Sequence, residues 1–119
     1  MRSVSQMTIY YGGERMTFLE EAKGFLGIAE TSVFDNELIP LISTCLVTLA
    51  DFKMVDYNED IDTCLGTVPK EYLPWVKQWI LLSVRLLFDP PASDTIRKSL
   101  VESRDEMLFR ISTVRRGEG

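Results

Sequence analysis

The chain contains no histidine and only two cysteines, Cys45 and Cys64, among its 119 residues. Without histidine, neither a Ser–His nor a Cys–His nucleophile pair can form. A structural zinc site needs four sulfur or nitrogen ligands, which two distant cysteines do not supply. Two cysteines in an intracellular chain are usually free thiols, so we expect no disulfide. The sequence therefore predicts no resident metal, no cofactor and no catalytic site of these kinds.

Positive charge is also scarce. Thirteen Lys and Arg residues stand against 18 Asp and Glu residues, which gives a formal net charge of −5. A protein that holds nucleic acid through its phosphates needs a broad basic surface. We therefore expect no nucleic-acid binding through a large basic surface.

Long hydrophobic runs are missing as well. The apolar segment Trp79 to Phe88 is too short for a bilayer, which requires about 20 residues, and Arg85 interrupts it. The N-terminus lacks the apolar run of a signal peptide. The sequence therefore predicts a soluble, cytoplasmic protein with no membrane partner.

What the chain does have is helical periodicity. Its composition, 45% hydrophobic and 26% charged, is ordinary for one globular domain of this length. Apolar residues recur at helical spacing in four segments, 17–27, 35–52, 71–88 and 94–113. Thr17 and Glu20 form a capping box for the first helix, and Gly27 suits its end. The second should begin near Asp35 and Asn36 and bury the stripe Leu38, Ile42, Cys45, Leu49 and Phe52. We predict a small all-α domain of four helices over residues 16–113.

The connection between the second and third helices, residues 54–71, is long and acidic. Bundle connections usually have about 2–8 residues. Asp56-x-Asn58-x-Asp60 resembles the start of a calcium loop, but Ile61 replaces the required glycine and Thr67 the glutamate. We interpret the segment as a solvated loop that contacts a partner.

A proline pair divides the C-terminal part of the chain. Proline lacks a backbone donor and restricts the residue before it, so Asp89 should end the third helix ahead of Pro90 and Pro91. Ser93 or Asp94 can then accept the free amides that begin the fourth helix. The pattern predicts a helical hairpin with a fixed corner.

The third helix is apolar nearly all round. Its side chains cover several faces, and a helix of this kind must be buried on several sides. A small domain cannot cover all of that surface, so part of it should lie between subunits. The residues predicted to form this subunit interface are Trp75, Trp79, Leu82 and Leu86.

Helical carboxylates offer a competing interpretation. Such residues can bind magnesium in small nucleotide hydrolases, and Glu102 and Glu106 share a helix face. This alternative function, a helical metal-dependent nucleotide hydrolase, would use some of Glu20, Glu21, Glu102, Asp105 and Glu106. Arginines lie beside these carboxylates, so exposed, solvated side chains are the simpler interpretation.

The two ends differ from the domain between them. Residues 1–15 contain a strand-capable stretch before Gly12 and Gly13. They are either an N-terminal arm that contacts a neighbouring subunit by strand addition or a non-native extension, and both remain open. Residues 94–119 carry 6 bases and 5 acids, a net +1, whereas residues 1–93 carry 7 and 13, a net −6. We expect residues 114–119 to be a mobile tail.

The corner Val84-Arg85-Leu86-Leu87-Phe88-Asp89-Pro90-Pro91, with Glu106-Met107-Leu108-Phe109-Arg110-Ile111 downstream, resembles the head–tail connector (adaptor) proteins of tailed bacteriophages. The resemblance covers residues 16–111. It implies an all-helical, non-enzymatic subunit of the virion, assembled in the host cytoplasm. It also implies structural roles for Arg85, Asp89, Pro90, Pro91 and Arg110, with Asp89 capping the corner and the arginines forming ion pairs.

The same resemblance implies the partners. Copies should form a ring, expected to be dodecameric, beneath the portal protein, with a stopper or tail protein below and DNA passing through the lumen. The C-terminal residues Val114, Arg115 and Arg116 are the predicted portal contact.

Overall fold

The computed structural model describes residues 16–118, with side chains for residues 16–113. This part of the chain forms five helices and no strand, which confirms the all-α fold class. The helices are α1 (Phe18–Leu26), α2 (Asp35–Asp51), α3 (Ile61–Leu65), α4 (Leu73–Phe88) and α5 (Asp94–Glu118). The expected number of four was wrong, because α3 lies in the connection that was interpreted as a loop. The N-terminal arm, residues 1–15, lies outside the described residues.

Helix α4 is the central element. It packs against α1, α2 and α5, and only Pro74 and Leu87 among its residues are exposed. The Phe34 ring, just before α2, meets the Phe88 ring edge-on at 5.3 Å, so the start of α2 lies beside the end of α4. The two helices therefore run antiparallel. The fully buried side chains at their centre are Leu38, Ile42, Leu46, Leu49, Val76, Ile80 and Val84.

Helix α1 begins and ends as predicted. Thr17 Oγ1 accepts from the Glu20 amide at 3.2 Å, and Glu20 Oε1 accepts from the Thr17 amide at 2.9 Å. Gly27 ends the helix with φ 79°, a left-handed conformation that glycine adopts without steric cost. One more backbone amide in the first turn of α1 donates to a residue distant in sequence. The Phe18 amide donates to Asp62 Oδ1 at 3.0 Å, so α3 caps α1.

The acidic connection is folded. Met54, Val55, Cys64, Leu65 and Val68 are buried in the main core, and the solvated-loop interpretation was wrong for them. Asp60 caps α3, because its Oδ2 accepts from the amide and the hydroxyl of Thr63 at 2.9 and 2.6 Å. These bonds lower the pKa of the Asp60 carboxyl. The motif that resembled a calcium loop is therefore a helix cap.

Two predicted features of α2 were wrong. Asp35 is the first helical residue and does not cap, since no side chain bonds to the amides at this end. Its carboxylate instead lies 3.0 Å from Lys23 Nζ, which ties α2 to α1. Phe52 ends the predicted stripe but is exposed, because the helix stops at Asp51 and Phe52 no longer follows its periodicity.

Helix α5 continues past its predicted end at Thr113. Its backbone is helical to Glu118, so Val114, Arg115 and Arg116 extend the helix. The mobility expected of this tail stays a prediction.

Candidate assembly surfaces

The proline corner is held by hydrogen bonds of backbone groups, to one another and to side chains. The Asp89 amide donates to the Arg85 carbonyl at 2.9 Å, and Arg85 Nε donates to the Asp89 carbonyl at 2.7 Å. Ser93 Oγ accepts from the Ile96 amide at 3.3 Å and caps α5. Asp89 therefore closes α4 through its main chain, and Arg85 binds a carbonyl where an ion pair was expected.

Arg110 does not belong to this corner. It lies 16 positions after the start of α5, which is about 24 Å along a helix. Its Nη2 is 2.9 Å from Glu106 Oε2, an exposed i, i+4 pair on the same helix. Pairs of this kind contribute about 0.3–0.5 kcal/mol, so Arg110 has a local role at most in the isolated subunit.

The four apolar residues predicted to lie between subunits differ in exposure. Trp79 and Leu82 are only 6% and 5% exposed, so the chain itself already covers them. Trp75 and Leu86 are half-buried and keep some surface for a neighbour. Leu87 is 60% exposed beside the corner. The interface predicted on α4 thus has a smaller free area than its composition indicated.

The carboxylates of the alternative function do not converge. Within residues 16–113, no group of three Asp, Glu or Cys side chains could hold a metal ion. Glu20 caps its own helix, Glu21 Oε2 lies 3.0 Å from Lys77 Nζ, and Glu106 pairs with Arg110. These contacts use the carboxylates for structure.

A surface that was not predicted from the sequence lies on the solvent side of α2. Ile39, Pro40, Thr44 and Val47 are exposed there, and Ser43 is half-buried. These five residues, the α2 outer face, follow the spacing i, i+1, i+4, i+5, i+8 of one helix side. The apolar stripe of α2 predicts only the buried side of the helix, which lies opposite. A count of charge along α2 would have found this face, since no charged residue lies between Glu37 and Asp51.

A group of polar atoms, from Cys45, Ser83 and Trp79, lies inside the domain. Burial raises the pKa of the Cys45 thiol to about 11, while Ser83 and the positive charge of Arg104 act in the opposite direction. Both cysteines are free thiols, as predicted, and both are buried, although burial was predicted for Cys45 alone. Trp79 Nε1 is buried and has no hydrogen-bond partner within the described residues. Cys45, Ser83 and Arg104 come from α2, α4 and α5. The Cys45 thiol stays neutral and is poorly suited to nucleophilic chemistry.

A family model described as "Phage connector protein" matches residues 18–118. The chain belongs to the phage connector protein family. This match spans all five helices, from the first turn of α1 to the last residue of α5. No curated protein and no solved structure matches the chain.

Membership in the connector family gives the chain a connector role in a phage particle, in general terms. The family is structural, and it lends no support to the hydrolase alternative. No helix in residues 16–118 is long and apolar enough to cross a membrane.

Proposed function

We propose that this phage connector protein forms a ring beneath the portal, extends the DNA channel and joins the capsid to the tail. The observation that carries the proposal is the family match over residues 18–118, which includes the whole helical domain. The ring is dodecameric, the symmetry expected of the portal above it. A stopper or tail protein binds its lower side.

The charge of the chain supports a channel role. A basic lumen would bind DNA phosphates and slow the passage of the genome, whereas a neutral or acidic lumen would not. The net charge of −5 suits the second case. The protein performs no catalysis and holds no cofactor in this role, and DNA passes without being bound.

The two ends of the hairpin have different tasks. The corner of Arg85, Asp89, Pro90 and Pro91 fixes the direction in which α5 leaves α4. The far end of α5 contains Val114, Arg115 and Arg116, which contact the portal. The half-buried Trp75 and Leu86 add to the contacts between subunits.

Size-exclusion chromatography with light scattering tests this function. We expect the purified chain to form a ring alone at high concentration or on mixing with its portal, and negative-stain images should count the subunits. A protein that stays monomeric in both conditions would rule out the proposed function. Nucleotide hydrolysis with magnesium would instead favour the alternative, and Glu102→Ala with Glu106→Ala should then abolish it.

A further inference from the structure

The α2 outer face has the composition of an interface rather than of a free surface. The segment from Leu38 to Ala50 contains no charged residue, although 26% of the whole chain is charged. Ile39 and Val47 are 40% and 46% exposed on this face. Single exposed apolar residues are normal, but the centres of protein interfaces are marked by depletion of charge. Ser43 and Thr44 are small enough to let another helix approach closely.

The described part of the chain covers only the opposite side of α2. Its buried residues, Leu38, Ile42, Cys45, Leu46 and Leu49, all point towards the core. Helices α1, α3 and α4 pack against that side. Among residues 16–113, no other helix packs against the outer face.

The charges around this face indicate which surface meets it. Glu37 and Asp51 are exposed at its two ends, so the rim is acidic. The end of α5 has the opposite sign, since the segment from Glu106 to Glu118 holds three arginines and two acids, a net charge of +1. Phe109 is 64% exposed in this segment, beside the exposed Arg110. A large aromatic flanked by arginine is the kind of residue that anchors protein interfaces.

We propose that the α2 outer face of one copy binds the Phe109 side of α5 in the next copy. This inference rests on the proposed ring and names the surfaces that close it. The two surfaces are different, so the contact is head-to-tail, which is the arrangement that generates rings. A two-fold contact of α2 with itself would instead bring the acidic ends, Glu37 and Asp51, together.

The first test changes the charge of the face. Val47→Glu places a carboxylate at the centre of this face, against the Phe109 ring of the next copy, where the carboxylate would lose its hydration. We expect it to weaken assembly at least ~10-fold. The matched control is Val33→Glu, since Val33 is 75% exposed in the loop before α2. Light scattering measures assembly, and circular dichroism checks that both variants keep the helix content and melting temperature of the parent.

The second test uses cross-linking to identify the surface that binds the α2 outer face. Because Cys45 and Cys64 are buried, we expect only the introduced cysteines to react. A mixture of Val47→Cys and Phe109→Cys chains should form a mixed disulfide dimer under mild oxidation, and a mixture of Val47→Cys and Val33→Cys chains should not.

The outcomes separate this inference from the function on which it rests. A parent protein that never assembles overturns both. A parent that forms rings while Val47→Glu also forms them overturns the α2 contact alone. If Val47→Cys chains cross-link to one another and no product contains Phe109→Cys, the head-to-tail arrangement is overturned. The ring would then have to close through another surface.

Discussion

At the residue scale, Cys45 shows how burial changes chemistry. The thiol lies among apolar side chains of α2 and α4, where a thiolate would lose its hydration. The pKa consequently rises from 9.0 to about 11, despite the nearby Ser83 hydroxyl and Arg104 guanidinium. The sequence predicted a small buried side chain here, but it could not show the polar neighbours, because Ser83 and Arg104 come from helices distant in sequence.

This shift predicts a pH dependence of stability. The unfolded thiol ionises near pH 9, and the folded thiol ionises only near pH 11. The unfolded state therefore loses its proton first, and the free energy of unfolding should fall by about 3 kcal/mol as the pH rises through this window. Urea unfolding at pH 8, 9, 10 and 11 measures it. Cys45→Ala should remove this part of the slope, and an unchanged slope would contradict the assignment.

At the element scale, the connection between α2 and α4 was the least predictable part of the fold. Its acids are spaced irregularly and resemble a solvated loop. The folded structure depends on apolar residues too sparse for a periodic signal, such as Met54 and Val68, and on capping by Asp60 and Asp62. In contrast, α1 and the proline corner follow local rules of capping and backbone restriction, and their bounds were predictable within a few residues.

The bond between Asp62 and the Phe18 amide gives a prediction at this scale. Asp62→Ala removes a carboxylate acceptor from the start of α1 and should lower the free energy of unfolding by about 1 kcal/mol. Glu59→Ala, an exposed change in the same connection, is the control and should have little effect. Chemical denaturation measures both. Equal losses in the two variants would show that the long-range cap contributes nothing.

At the scale of the whole molecule, the family and the all-α class were predictable from the sequence, whereas the subunit interface expected on α4 stays a prediction. Apolar residues all round α4 indicated contact with other subunits. In the structure, α1, α2 and α5 cover most of them. Periodicity shows how many faces of a helix are buried, but not whether the same chain or another one buries them.

Portal binding should depend on the end of α5. The double variant Arg115→Glu with Arg116→Glu reverses two charges in the predicted portal contact, while Lys98→Glu changes an exposed base near the start of the same helix. We expect the double variant to bind portal at least ~10-fold more weakly and Lys98→Glu to bind normally, because a wrong charge in a contact costs more than 1.4 kcal/mol. Pull-down with purified portal measures this, and equal binding by the two variants would place the portal contact elsewhere.

The acidic character of the whole molecule predicts indifference to DNA. The assembled protein should leave the electrophoretic mobility of linear duplex DNA unchanged at physiological salt, because a chain with net charge −5 releases few counterions. A basic DNA-binding protein serves as the positive control. A retarded band that fades as salt is added would reveal a basic surface in the ring and contradict a passive channel.

The cap that α3 provides for α1 has a consequence for biosynthesis. The acceptor for the Phe18 amide lies 44 positions downstream. At roughly 5–20 residues per second, the ribosome adds this acceptor about 2–9 s after Phe18. Helix α1 thus waits for the middle of the chain to be translated before its opening turn is complete.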